Sequence, residues 1–325
     1  MRPPLAFHAH TLTALVALVA VLATGYGCGD GGRSVLLIAD AGNGRIVQMD
    51  DFSGAGWAAF AYPSVNKSFL SPNAVAADSG GRIYASSFGD HWISRMDDIT
   101  GKGFVTLGRS GRGVHEFAGP FGLAIDAQDR IYVADSDNGR IVRMDSIEGA
   151  GWTSLGRRGR GPNEFDGPAD VALDTLGRIY VADRGNHRIV RFDDMSGTGW
   201  TTYGRADPRQ KLGPGVFDLL GGIAVGSNGV IYVTDVNENV VISIQDMSGA
   251  GYAYFGYVGN DSLFKQPTGV WVSGSSPVYV ASQNNNRVAR FEDIRGTGYR
   301  SFGQAGSGVG QLDQPLDVVI ARVAP

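Results

Sequence analysis

The sequence predicts an all-β fold: a six-bladed β-propeller of four-stranded blades, closed by a C-terminal strand that completes the first blade. Three observations predict it. A phrase of the type MDDFSGAGW (49–57) returns along the chain. The aromatic residue that closes it falls at Trp57, Phe104, Trp152, Trp200, Tyr252 and Tyr299, at spacings of 47, 48, 48, 52 and 47. Apolar phrases keep the same beat between these aromatics, and four short strands per unit of that length define a propeller blade. The chain also starts and stops in mid-unit, as a ring that closes on itself requires.

The elements of one unit follow in order. Strand a is of the type FGLAID (121–126), with copies at 73–78, 169–174, 221–226 and 268–273. Strand b is IYVAD (131–135), repeated at 179–183 and, with changes, at 36–40, 83–87, 231–235 and 278–282. Asn138-Gly139 then joins two apolar runs, the strongest short hairpin signal, and strand c is RIVRMD (140–145). The SGAGW phrase turns the chain into a short strand d. The first unit begins at strand b, with Val35-Leu36. The run from Leu316 to Ala321 is a strand a with nothing after it, so it supplies the missing strand and removes the open edges. The 49 glycines fit this density of turns. The propeller is expected over 35–325 as a single domain.

The repeat GLAID…RIYVADSDNGRIVRMD at 122–145, and its copy at 170–193 with GNHRIV inside, resemble the NHL-repeat family. The resemblance runs over about 35–323 and implies a propeller. It does not choose an activity, because NHL-like propellers include enzymes, binding scaffolds and receptor ectodomains.

The N-terminus stands apart. Arg2 precedes an apolar run from Leu12 to Ala23, short for a membrane span and suited to a secretory signal over 1–27. The signal ends at Gly27-Cys28 and resembles that of a bacterial lipoprotein, which implies lipidation of Cys28. Cys28 is the only cysteine, so no disulfide can form within the chain. Residues 28–34 then read as a short tether. The alternative is simple cleavage nearby, giving a secreted protein. Either way the expected location is the cell envelope, outside the cytoplasm, with membrane contact through the anchor only. The formal charge is −4, too weakly acidic to distinguish a partner and without the overall basic charge of a nucleic-acid binder.

Sites grafted on a repeat show as departures from it. The recurring SGAGW turn reads as a stitch of the fold, since its aromatic varies and no constant polar partner accompanies it. Four departures remain. At strand a, where Gly122, Gly222 and Gly269 stand in other blades, the chain places Asp170 in the fourth blade and Asp317 in the first. Opposite blades would aim these carboxylates at each other across the channel. They are candidate ligands for Ca²⁺ or a cationic group, or else acceptors for backbone N–H at a strand start.

The loops from strand d to strand a carry Arg109, Arg112, Arg157, Arg158, Arg160, Arg205, Arg209 and Lys211, partly offset by Glu116, Glu164 and Asp207. A positive patch on one face would suit a protein partner or an anionic polymer; the alternative is solvated loop charge in local ion pairs. The b–c turn of the second blade reads Phe88-Gly89-Asp90-His91-Trp92, where its neighbour has Asp137-Asn138-Gly139-Arg140. An exposed Phe88 and Trp92 beside His91 would suit a contact surface; the alternative folds Trp92 over the blade. The loop from Gly204 to Gly215 is the longest, an insertion or a partial cover for the channel.

Catalytic signatures are sparse. Beyond the signal the histidines are His91, His115 and His187, none on a strand a. No GxSxG or HExxH occurs. The expected role is non-catalytic binding without a cofactor. The alternative is a Ca²⁺-dependent lyase or hydrolase at the channel, an activity implied by propellers of this broad kind.

Overall fold

Strand b is buried along its whole length, at 131–135, 179–183 and 231–235 alike, because a blade packs against a neighbour on each of its faces. Short apolar runs bounded by turns are what such a two-sided environment selects. The computed structural model describes residues 32–61, 71–258 and 261–323. The signal segment, Cys28 and most of the expected tether lie outside them.

Six four-stranded antiparallel sheets form the blades. The third is typical: Pro120–Ile125 innermost, then Ile131–Asp135, Arg140–Met144 and, at the rim, Thr153–Leu155. The first blade is composite. Pro315–Val323 pairs antiparallel with Arg33–Asp40 from Arg33↔Val323 to Asp40↔Pro315. This seam is longer than the sequence indicated. Arg33 and Ser34, expected in the tether, are part of the strand, and Arg33 meets Asp50 at 2.8 Å.

The recurring phrase is the c–d turn. Gly149 and Gly151 both take positive φ (83° and 64°), which glycine adopts without a Cβ penalty. The aromatic that follows is half-buried in every blade. Trp152 sits 5.2 Å from Phe117, Trp200 stacks on Phe192 at 5.7 Å, and Tyr299 lies 5.9 Å from Phe255. Phe255 belongs to the preceding blade, so Tyr299 helps join two rims.

A second tie was not anticipated. Asp135, at the end of strand b, is fully buried; it accepts from Arg140 Nε at 2.6 Å and from Asn138 Nδ2 and Ala118 N–H. The far end of Arg140 donates to the carbonyls of Arg112, Gly113 and Glu116 in the loop arriving from the previous blade. Asp183 and Arg188 repeat the arrangement on the carbonyls of Arg160, Gly161 and Glu164. Asp40 and Arg45 repeat it on Ser307 and Gln311. Each clamp fixes the backbone of a d–a loop.

Candidate functional site

The channel is built by the six innermost strands, and their first residues converge most tightly. A Cβ placed on Gly122 would stand 2.4 Å from Asp170 Cα, and one on Gly269 would stand 2.7 Å from Asp317 Cα. The glycines are there because the neighbouring carboxylates occupy the space. Asp170 Oδ1 accepts from Val171 N–H at 2.8 Å, and Oδ2 accepts from Ile223 N–H of the next blade at 2.9 Å. Asp317 does the same with Val318 at 2.8 Å and Val75 at 3.0 Å. The two acids therefore stitch blade four to five and blade one to two, as strand-start acceptors.

These carboxylates also divide the channel. Above them, toward the face of the b–c turns, the throat has a volume of only about 20 Å³. Below them a cavity of about 200 Å³ runs along the strands, with Asp170 and Asp317 as the only charged side chains in its lining. Burial raises both carboxyls, Asp317 to about 7, and the charge of Asp317 pushes Asp170 well up. Backbone donors and Arg184 pull in the other direction on Asp170.

The donor set does not make a cation cage for Ca²⁺. Two carboxylates are all the charged donors in the cavity lining, and among the described residues no group of three His, Cys, Asp or Glu side chains is placed to hold a metal ion. A hard divalent cation of this kind takes six to eight oxygens.

Arg184 was not singled out from the sequence. It opens the b–c turn of blade four, where the other blades carry Ala41, Phe88, Ser136, Val236 and Gln283. Its Nε donates to Leu220 O at 2.8 Å and its Cζ lies 5.1 Å from the centre of the Phe121 ring. It thus touches the starts of the two inner strands that flank the inner strand of its own blade. The only signal in the sequence was a cation at a turn position that is uncharged in every other blade.

The arginine-rich loops share the face of the b–c turns, and the clamps hold the first two of them there. Their charges fall into three groups. Arg109 pairs with Glu116 at 2.9 Å, Arg157 with Glu164 at 2.8 Å and Arg158 with Asp166 at 2.9 Å. Glu116 and Glu164 also accept N–H from Gly113 and Gly161, which together with the arginines holds their carboxyls below the usual range. Arg205 and Lys211 make looser pairs, at 3.9 Å with Asp207 and 3.6 Å with Glu238. Arg112, Arg160 and Arg209 are exposed and make no ion pair with any described residue.

The second-blade turn departs from expectation. Trp92 is half-buried, not exposed: it packs on the core beside Phe104, 6.4 Å away and edge-on. It replaces the clamp arginine, while Ser87 and Asp90 bond to each other at 2.6 Å in place of the buried acid and its asparagine. His91 accepts Gly119 N–H at Nδ1. Phe88 is exposed, edge-on to Phe121 at 6.0 Å. The long loop before blade five does not reach the throat. It bridges Arg205 to Val216 and lays Leu212 on the core.

Comparison with known proteins agrees with this architecture. A family profile described as NHL repeat matches residues 117–144 and 165–192. These are three strands each of the third and fourth blades. No curated protein matches the chain. Among solved structures, a chain from a nidogen/laminin complex superposes with a TM-score of 0.66 at 16% identity, covering 89% of this chain and 98% of that one. A streptogramin B lyase gives 0.58 at 14% identity, with 89% of each chain covered. A protein of unknown function from Bacteroides caccae gives 0.61 at 11% identity, with 89% and 99% covered. At these identities the likeness is one of fold. The protein is a six-bladed β-propeller, and three strands of each of its third and fourth blades match the NHL repeat.

Proposed function

We propose that the protein is a non-catalytic binding module of the bacterial cell envelope, anchored through lipidated Cys28, which takes an anionic partner on the face of its d–a loops. One observation carries the reading: Arg112, Arg160 and Arg209 are exposed and without an ion pair among the described residues, on three consecutive loops of one face. Two of those loops have their backbones pinned by Arg140 and Arg188. Guanidinium groups on a fixed frame lose little freedom on binding and match carboxylate, phosphate or sulfate in bidentate fashion. That a solved structure of similar fold comes from a nidogen/laminin complex is in keeping with partner binding on this architecture.

Binding of a labelled polyanion, poly-L-glutamate or dextran sulfate, tests the reading. Saturable binding that weakens as salt rises is expected. No binding at low salt would refute it. The anchor has its own test: incorporation of labelled palmitate that Cys28→Ala abolishes.

A further inference from the structure

The cavity below the throat has a definite chemistry. Its walls are the apolar side chains of all six inner strands, Val171, Ile223 and Val270 among them, and its blind end carries two acids. About 200 Å³ is room for a small organic molecule; an engineered cavity of about 150 Å³ takes benzene. The throat above has space for about one water, so a ligand reaches the acids only from the side of the a–b turns.

Neither carboxylate has an ion pair among the described residues. Each oxygen accepts one N–H, and an ionised carboxylate offers about four lone-pair sites. Acceptor capacity therefore remains toward the cavity. The charges around the pair are few. Asp317 acts on Asp170, and Arg184 acts on Asp170 from the throat side, with no ion pair between them. Two like charges against apolar walls are costly, and a cation between them relieves both desolvation and repulsion.

We propose that this cavity binds a small primary amine, its ammonium seated between Asp170 and Asp317 and its hydrocarbon tail against the apolar walls. The primary ammonium fits because it is compact, has three donors for the remaining lone pairs, and carries an apolar stem. This site is separate from the arginine loops and uses none of their residues.

Calorimetric titration at pH 7 with n-pentylamine, n-pentanol and CaCl₂ tests it, on the protein and on the Asp170→Asn/Asp317→Asn variant. Pentylamine is expected to bind at least tenfold more tightly than pentanol, and the variant should lose that preference. Binding should also release protons, seen as heat that varies with the ionisation enthalpy of the buffer. Equal binding of amine and alcohol would overturn the proposal and leave only an apolar cavity. Amine binding that the variant retains would overturn it too. Saturable Ca²⁺ binding without amine binding would place a hard cation there instead. An Arg160→Glu protein should bind pentylamine unchanged, so failure of either proposed site is recognised independently of the other.

Discussion

Arg140 Nε and Asp135 Oδ2 stand 2.6 Å apart, the acid fully buried and the guanidinium nearly so. Together they join the end of one strand b to the loop arriving from the preceding blade. Removing one member of such a pair strands the other in a dry site. Arg140→Ala should therefore destabilise the protein by about 3–5 kcal/mol, read from chemical denaturation. Trp92→Ala, at a blade that has no clamp, should not produce the loss of a buried ion pair, only that of apolar packing.

The channel acids predict a pH dependence. Asp317 rises from its ordinary 3.8 to about 7 on folding. Between those values the folded state holds more protons than the unfolded one, so stability is greatest at the acid end and falls as pH rises through about 7. Asp317→Asn removes this titration at the cost of one backbone hydrogen bond, a loss that does not vary with pH. The difference in stability between the native protein and the variant should favour the native protein at pH 4.5 and shift toward the variant by pH 8. A difference that is flat across that range contradicts the assignment.

Gly269 touches the same group from the neighbouring strand. A Cβ there would meet Asp317 Oδ1 at 2.2 Å and, less yieldingly, Leu316 O at 2.8 Å. Gly269→Ala should cost about 1–3 kcal/mol by overpacking, as a lowered denaturation midpoint. Its strand conformation is ordinary for any residue, so the cost is steric alone.

The rim aromatics should be interchangeable but not dispensable. Trp200 lies 5.2 Å from Phe165 and has Arg188 over its ring at 6.0 Å. Trp200→Phe should cost little, because Phe104 fills the equivalent place in blade two. Trp200→Ala should cost about 3 kcal/mol, measured by thermal or chemical unfolding.

The fold was legible because each blade repeats its apolar and turn pattern, and because the first and last strands belong to one blade. The clamps were not. Asp135 read as the end of one strand and Arg140 as the start of the next; only the hairpin brings them together. The arginine loops were legible as a basic cluster, but which charges stay free depends on loop shape. Gly111 N–H bonds to Phe117 O and Gly113 N–H to Glu116, which turns Glu116 onto Arg109 and leaves Arg112 outside. Trp92 gave no sign in the sequence of which way it would fold. The Asp170–Asp317 departure was visible, but their backbone partners belong partly to the next blade, at Ile223 and Val75.

The central claim is that the unpaired arginines of the loop face bind an anionic partner. The most direct test compares two charge reversals in poly-L-glutamate binding: Arg112→Glu/Arg160→Glu/Arg209→Glu against Arg109→Glu/Arg157→Glu. The account predicts at least a tenfold loss of affinity for the triple variant with its unfolding midpoint unchanged, and a smaller loss for the double variant, whose arginines are engaged by Glu116 and Glu164. A triple variant that binds like the native protein would contradict it.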